Sequence, residues 1–317
     1  MSTPTHNAGH SGVQNTGPGT INITGSAVGP NSTVRNELQP EGRPRAASGP
    51  LTSHWDIGVI TILSEETRAV IDALSAAGTC RQKTRNDGPR CHEAVVEVAG
   101  QDITVVAMQA IDRGQRAAVI AFNQIRERYD PSVVVLVGIA GAISPAVRLG
   151  DVVVVQDVIY YDTRKESTTG TAHRGQDRPV PASIRHAIND FFTDHGEPYR
   201  ATINGPDGIR RTCHVLPGPI GSGEAVIADQ DSPIRQYLTA FHDKVLAVET
   251  EAAGIAEAFY AQAAAPSPGG GWLAIRGISD DASPRKDDTY HEIASQHAAA
   301  ILVQLLPYLT RAAGTSR

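Results

Sequence analysis

The sequence predicts an α/β layered domain with a largely parallel or mixed sheet. From Trp55 onward, short apolar runs alternate with longer amphipathic runs, which is the pattern of strands connected by helices. Several of the short runs are rich in β-branched residues and carry no charge, as strands buried on both faces require. Such alternation is typical of domains in which helices cover a sheet.

A segment of different composition precedes this domain. Residues 1–50 hold 30 Gly, Pro, Ser, Thr or Asn and only six Val, Ile or Leu, too little apolar surface to offset the entropy of ordering. We therefore predict a flexible, low-complexity arm over residues 1–52 and one large domain over residues 53–313. Residues 20–30 alternate aliphatic and polar side chains, so they belong either to the flexible arm or to a strand used for assembly or partner docking.

Each element of the domain follows from its own apolar pattern. The strands are short apolar runs bounded by polar or turn residues; in order they are Ile57–Ile62, Ala94–Val98, Ile103–Met108, Val133–Val137, Val152–Val158, Val245–Val248 and Leu273–Ile278. The helices are longer runs with apolar residues three or four apart; in order they are Ser64–Ala77, Gly114–Tyr129, Ala182–Thr193, Ile234–Phe241, Thr250–Ala264 and Asp287–Leu309.

Composition excludes several classes of protein. The net charge of −6 argues against a globally basic nucleic-acid-binding protein. The longest apolar stretch, Val133 to Ile143, is shorter than the ~20 residues that span a bilayer, and the first residues lack the pattern of a secretory signal. We therefore expect a soluble, cytoplasmic protein without nucleic-acid or membrane partners.

Acidic clusters follow three of the predicted strands. They are Ser64-Glu65-Glu66, Glu249-Thr250-Glu251 and Ser279-Asp280-Asp281. Each cluster alone could simply cap a helix N-terminus. Ligands in open α/β sheets bind beyond the carboxyl ends of the strands, and like charges that converge there cost energy unless chemistry uses them. Three clusters together therefore favour a functional site.

Other chemical motifs are missing from the sequence. It contains no G-x-x-x-x-G-K-[ST] loop, no G-x-G-x-x-G fingerprint and no H-E-x-x-H motif. His291 and His297 lie six residues apart, on different faces of a helix. We expect neither a metal site nor another cofactor.

Six motifs in order resemble a known family. They are IGVITILSEE, VVVLVGIAGAI, RLGDVVVVQDVIYYD, GSGEAVIAD, AVETEAAGIA and IRGISDDAS. On these motifs the chain from about Asp56 to Leu309 resembles the nucleoside phosphorylase and nucleosidase superfamily, and its site residues are most similar to the methylthioadenosine/S-adenosylhomocysteine nucleosidase type. The stretch from Asp280 to Ala299 also looks like the related domain of bacterial and fungal defence or signalling proteins.

The resemblance implies a three-layer αβα phosphorylase-type catalytic domain with a mixed central sheet. It also implies a purine N-ribosyl hydrolase that cleaves the N-glycosidic bond of an adenine nucleoside or nucleotide. By position in the motifs, the resemblance implies that Glu66 activates water, that Arg276 orients it, and that Asp280 beside Ser279 protonates the purine. It also implies that Glu251 binds the ribose hydroxyls. The other residues implied to bind substrate are Thr250, Glu249, Val226, Ile227, Ala140, Gly141 and Ala282.

The required chemistry explains these residue types. A purine anion is a poor leaving group, so an acid must protonate it as it departs. The sugar becomes cation-like as the bond lengthens, and a carboxylate that holds its hydroxyls binds more tightly in that state. Water is a weak nucleophile and needs a base and an orienting donor.

Three other functions stay open at this point. The resemblance also admits a phosphate-dependent phosphorylase, although Glu65 and Glu66 lie where phosphorylases of the superfamily place a phosphate-binding arginine, and a carboxylate there would repel phosphate. It admits an ATP or AMP nucleosidase effector of a bacterial antiviral defence system. A non-catalytic nucleotide-sensing or assembly module is the third. The superfamily also leads us to expect a homo-oligomer.

Two departures from the family pattern concern the substrate. Ile139 stands where these nucleosidases commonly have serine, and Val226 stands where they have a phenylalanine that stacks on the purine. Basic residues could bind a charged 5′ group. Arg285 and Lys286 are the first candidates because they follow Asp280 closely. The other clusters are Arg81, Lys83, Arg85 and Arg90, and Arg113 with Arg116; each is otherwise a solvated surface.

Overall fold

The computed structural model describes residues 54–83, 88–98, 100–205, 208–263, 270–283 and 290–314. The predicted arm over residues 1–52, its docking stretch at residues 20–30, and Arg285 and Lys286 lie outside the described residues.

Thirteen strands and six helices form in the described part of the chain. The strands are β1 Ile57–Thr61, β2 Gly78–Lys83, β3 Cys91–Val98, β4 Gln101–Gln109, β5 Val133–Ala142, β6 Val152–Tyr160, β7 Arg164–Ser167, β8 Gly170–His173, β9 Gln176–Pro179, β10 Tyr199–Asn204, β11 Arg210–Ser222, β12 Ala247–Glu249 and β13 Gly271–Asp280. The helices are α1 Ser64–Ala77, α2 Gln115–Tyr129, α3 Ala182–His195, α4 Pro233–Phe241, α5 Ala252–Ala263 and α6 His291–Ala312.

Eleven of the described strands form one mixed sheet. Its main order is β10-β11-β6-β13-β5-β1-β4-β3-β2, while β12 pairs with β11 and β5, and β9 pairs with β6. The pairs β4-β1, β1-β5, β5-β13 and β6-β11 are parallel, and β13-β6 and the β2-β3-β4 ribbon are antiparallel. Strands β7 and β8 form a separate hairpin. The predicted mixed sheet is confirmed.

Helices cover both sides of this sheet and complete three layers. Helix α6 packs against α1 and α3, and α2 packs against α5. Every residue of β1 and β13 is buried, because helices on both faces exclude water, a position that favours apolar runs. The charged residues of β13, Arg276 and Asp280, are buried as well. Helix α1 turns Ala69, Val70 and Leu74 inward, and this face also buries Glu66 in its first turn.

Every predicted helix and strand has an observed counterpart, but six observed strands, β2 and β7 to β11, were not predicted. Helix α1 has the predicted bounds, and the seven predicted strands all form with shifted ends. The long strand β11 was not predicted, because Pro217, Gly218 and Pro219 interrupt its apolar pattern and these residues usually end strands. In the structure β11 still pairs with β6, with a register shift between Gly218 and Pro219. The bulge absorbs the irregular backbone.

None of the helices in the described part of the chain is both long enough and apolar enough to span a bilayer.

Candidate active site

Strand β5 brings the acidic clusters together. Gly141, near its end, pairs with Asp280 of β13 on one side and with Val248 of β12 on the other. Glu249 ends β12, and Glu66 enters from the first turn of α1 after β1. The three clusters therefore meet around one strand, although more than 200 residues of sequence separate Glu66 in the first from Asp280 in the last.

A cleft of about 360 Å³ opens where they meet, within the size range of small-molecule sites. The predicted residues that line it are Glu66, Ala140, Gly141, Val226, Ile227, Glu249, Thr250, Glu251, Ser279 and Asp280. Arg276 and Ala282 are fully buried beside these residues. The structure therefore places together every predicted site residue that it describes.

Glu66 is held by backbone amides. Its Oε2 accepts hydrogen bonds from the N–H groups of Ile62 and Leu63, each at 2.8 Å, and its Oε1 accepts one from Ile139 at 3.0 Å. Only 2 % of the residue is exposed. Burial raises the pKa of this carboxyl above its ordinary value of 4.5, although Arg276 and the amides of Leu63 and Ile62 act to lower it. The group is fixed in place and binds a proton more readily than an exposed glutamate.

Arg276 is the cation at the centre of the acids. Its Nη2 donates to Glu249 Oε2 and lies 3.2 Å from Glu251 Oε2. The residue is 0 % exposed. Burial raises the pKa of Glu249, and the charge of Glu251 raises it further, against the lowering effect of Arg276. Glu66 and Glu251 also interact with this guanidinium. The cluster is a buried charge network with more acids than bases.

Glu251 is oriented by three partners. Its Oε1 accepts hydrogen bonds from the N–H of Gly114 at 2.9 Å and from the hydroxyl of Thr250 at 2.5 Å, and its Oε2 faces Arg276. The amide of Gly114 begins helix α2, where unpaired N–H groups favour a negative charge. This arrangement keeps the carboxylate at the cleft wall in one orientation.

Asp280 lines the cleft next to a strained turn. Its Oδ1 accepts the N–H of Ala282 at 2.9 Å, and its Oδ2 lies 3.0 Å from the hydroxyl of Ser279. Ala282 has a φ of +50°, a conformation uncommon for residues other than glycine. Strain of this kind often occurs at functional sites. The turn presents a carboxyl at the cleft while its neighbours hold both oxygens.

Gly138 allows Glu66 and Arg276 to approach strand β5. A Cβ atom at this position would overlap Arg276 Nη1 and Glu66 Oε1, and it would lie 2.8 Å from Glu66 Cδ. We expect Gly138→Ala to lower the free energy of unfolding by about 1–3 kcal/mol, because an overpacked site must shift its side chains. Urea unfolding measures this change. A midpoint equal to that of the unmutated protein would contradict the packing described.

Tyr161 is a site residue that the sequence analysis missed. It lines the cleft and is fully buried, and its hydroxyl donates to the carbonyl of Ala225 at 2.6 Å. The neighbouring Val226 is 67 % exposed and offers no aromatic surface. Tyr161 follows directly after β6, but no local pattern indicates that it faces a residue 64 positions away. The sequence signal for it was therefore weak.

His291 and Arg113 also line the cleft. His291 begins α6, and its Nδ1 lies 3.6 Å from Glu65 Oε1. Among the other basic clusters named from the sequence, Lys83 pairs with Glu93 at 2.9 Å, and Arg116 is exposed on α2. In the part of the chain that the structure describes, His, Cys, Asp and Glu residues form no group of three or more that could hold a metal ion.

The chain is similar to known proteins in sequence and in fold. A sequence profile of the phosphorylase superfamily matches residues 56–307. The chain is 30 % identical over 224 residues to the 5′-methylthioadenosine/S-adenosylhomocysteine nucleosidase of Tolumonas auensis, covering 67 % of this chain and 84 % of that protein. It is 24 % identical over 263 residues to ATP nucleosidase Cap17 of Escherichia coli (strain KTE188), covering 79 % of this chain. The chain spans only 50 % of the length of Cap17.

Solved structures share the fold. The 5′-methylthioadenosine/S-adenosylhomocysteine nucleosidase of Helicobacter pylori superposes with a TM-score of 0.62 at 14 % identity, covering 80 % of this chain and 98 % of that one. The futalosine hydrolase of the same organism superposes with a TM-score of 0.59 at 15 % identity, covering 81 % of this chain and 97 % of that one.

Proposed function

The chain belongs to the phosphorylase superfamily, and from this premise we propose that it hydrolyses the N-glycosidic bond of an adenine nucleoside or nucleotide. The observation that carries the proposal is the meeting of Glu66, Glu251, Arg276 and Asp280 around one cleft. The relatives named as nucleosidases of methylthioadenosine and of ATP support a substrate that contains adenine.

Asp280 is the proposed acid. Departure of adenine places negative charge on the purine, and a carboxylic acid that donates a proton to N7 removes that charge. The hydroxyl of Ser279 at 3.0 Å and the N–H of Ala282 at 2.9 Å hold the two Asp280 oxygens in a fixed direction. This fixed geometry lets the proton transfer occur without rearrangement of the side chain.

Glu251 is the proposed ribose-binding residue. The sugar acquires positive charge as the bond to adenine lengthens, so an oriented carboxylate beside its hydroxyls stabilises the transition state more than the ground state. The hydrogen bonds from Gly114 and Thr250 fix Glu251 Oε1. The carboxylate therefore binds the sugar without first losing conformational freedom.

Glu66 is the proposed base for the attacking water. An ionised carboxylate offers about four acceptor positions, and three backbone N–H groups occupy three of those on Glu66. The remaining position can accept a proton from water, and the raised pKa of Glu66 makes that transfer more favourable. Arg276, which reaches the same side of Gly138, is the donor that orients the water.

Water is a better nucleophile for this cleft than phosphate. The acids Glu65, Glu66, Glu249, Glu251 and Asp280 line it, and Arg276 is already shared between carboxylates. An inorganic phosphate beside Glu66 would be repelled. This charge distribution supports hydrolysis over the phosphorylase alternative. The nucleotide-sensing module, a homo-oligomeric assembly and a role in antiviral defence stay predictions from the resemblance.

Adenine release tests the proposal. The purified chain is incubated with adenosine, methylthioadenosine, AMP or ATP, with and without inorganic phosphate, and free adenine is followed by chromatography. We expect release from at least one substrate in the absence of phosphate. Release that requires phosphate would identify a phosphorylase, and release from none would favour the non-catalytic module.

The pH dependence of kcat/KM is expected to reflect Glu66. Because a base acts only when ionised and burial raises the pKa of Glu66, kcat/KM should fall as the pH decreases through a midpoint above 4.5. The measurement is kcat/KM from acid to neutral pH at constant ionic strength, limited to the range in which the circular dichroism spectrum is unchanged. A midpoint at or below the ordinary value would contradict the role of Glu66.

A further inference from the structure

Arg113 is a cation close to the acidic residues that line the cleft in the described part of the chain. It lines the cleft together with Glu66, Glu251 and Asp280, and it is exposed to solvent. His291, the other basic residue among the described residues that line the cleft, already faces Glu65. The guanidinium of Arg113 forms no ion pair with a carboxylate of the described residues. Its charge is therefore available to a bound ligand.

The backbone places Arg113 on the sugar side of the site. The next residue, Gly114, donates its N–H to Glu251 Oε1 at 2.9 Å, and Glu251 is the residue proposed to bind the ribose. Consecutive Cα atoms are about 3.8 Å apart, so the Arg113 side chain starts within one residue of the ribose-binding acid. Asp280, the proposed acid for the purine, comes from a different strand.

A turn at Gly114 fixes the direction of the backbone that carries Arg113. Gly114 has a φ of +91°, a conformation that glycine adopts without strain, and the N–H of Arg113 is held by Asp112 Oδ1 at 2.8 Å. A Cβ atom at Gly114 would lie 2.9 Å from Glu224 Oε2. The backbone is therefore enclosed by Glu224 and Glu251, whereas the long side chain of Arg113 extends to the cleft.

The chemistry of the guanidinium selects the ligand. Arginine binds phosphate oxygens in a bidentate geometry and does so more strongly than it binds neutral groups. A phosphate beside Glu66 or Asp280 would meet carboxylates. A phosphate on the 5′ carbon of the ribose lies away from the reacting bond, and the long side chain of Arg113 can reach it past Glu224 and Glu251. A neutral 5′ substituent would leave the cation without a partner.

We propose that Arg113 binds the 5′-phosphate of the substrate, so that this cleft prefers an adenine nucleotide to an uncharged adenine nucleoside. The inference rests on the proposed function, because it takes the ribose position from Glu251. It differs from the expectation drawn from the sequence, which gave Arg285 and Lys286 the first place at the 5′ side.

Substrate preference tests this role of Arg113. We expect wild-type kcat/KM to be higher for AMP than for adenosine, and Arg113→Met to lower the AMP-to-adenosine ratio about tenfold or more, mainly through KM for AMP. Arg116→Met is the matched control, since Arg116 carries the same charge on the first turn of α2 but does not line the cleft. The ratio of kcat/KM for AMP to kcat/KM for adenosine should stay within about twofold of wild type in Arg116→Met.

Binding separates this inference from the proposed function. If no substrate is hydrolysed, the proposed function is wrong, and calorimetric dissociation constants of AMP and adenosine for the same three proteins still test Arg113. A preference for AMP that Arg113→Met abolishes and Arg116→Met retains would support the phosphate site. Equal affinity for AMP and adenosine in the wild type, or a ratio that Arg113→Met leaves unchanged, would overturn it.

Discussion

Changing Asp280 to asparagine is expected to slow adenine release by about 10²–10⁴-fold, the usual contribution of a positioned general acid. Asparagine keeps the shape and can still accept the N–H of Ala282, but it cannot donate an acidic proton to the purine. The measurement is kcat under saturating substrate. Circular dichroism and thermal melting check that the variant is folded.

Asp281→Asn is the matched control for this prediction. Asp281 is the adjacent acid, is exposed, and accepts the N–H of Ser283 at 3.2 Å outside the cleft. Its replacement should change kcat by less than about twofold, because surface substitutions away from a site have small effects. If Asp280→Asn retains wild-type kcat, or if both variants lose activity equally, Asp280 is not the acid.

Removing the charge of Arg276 is expected to have the largest effect on stability. Arg276→Met leaves Glu249, Glu251 and Glu66 buried without their shared cation, and breaking a buried ion pair from one side typically costs about 3–5 kcal/mol. The free energy of unfolding from urea titration measures the change. A loss below about 1 kcal/mol would contradict the dependence of the cluster on this guanidinium.

Two comparisons identify charge as the cause of that loss. Arg185→Met makes the same substitution in a partly exposed pair, 2.8 Å from Asp157, and should cost at most about 1 kcal/mol. Lowering the pH should reduce the deficit of Arg276→Met, because protonation of Glu66 and Glu249 removes two of the buried charges that have lost their cation; burial already raises the pKa of both. A deficit independent of pH would indicate lost packing instead.

The sequence was most informative where function and local pattern coincide. The Glu65-Glu66 cluster follows an apolar run and starts an amphipathic one, so both the bounds of α1 and the position of Glu66 beyond β1 could be predicted. The same holds for Glu251 after β12 and for Asp280 at the end of β13. These positions depend on one strand and its immediate continuation.

Features created by distant contacts could not be predicted in this way. Strand β11 carries Pro217 and Pro219 and is positioned by pairing with β6 and β12, so its own pattern opposes the structure it adopts. Its last residue, Ser222, is fully buried and bonds Gln115 and the N–H of Ala253. The sequence pattern predicted no strand at this position.

The specificity of the cleft depends on the same kind of contact. Val226 was predicted at the position of a missing aromatic ring, but the ring that lines the cleft is Tyr161, from the end of β6. Arg113 was one of several basic residues in the sequence, and only its position beside Gly114 and Glu251 separates it from the others. Tertiary structure, rather than residue type, makes that distinction.

The fate of the water oxygen decides whether this cleft is hydrolytic. The chain is incubated with its adenine substrate in water labelled with heavy oxygen, in the presence of inorganic phosphate, and the released sugar is analysed by mass spectrometry. Hydrolysis by water held at Glu66 and Arg276 places one labelled oxygen on the anomeric carbon of the sugar. A sugar 1-phosphate without the label would show that phosphate is the nucleophile and would contradict the proposed hydrolysis.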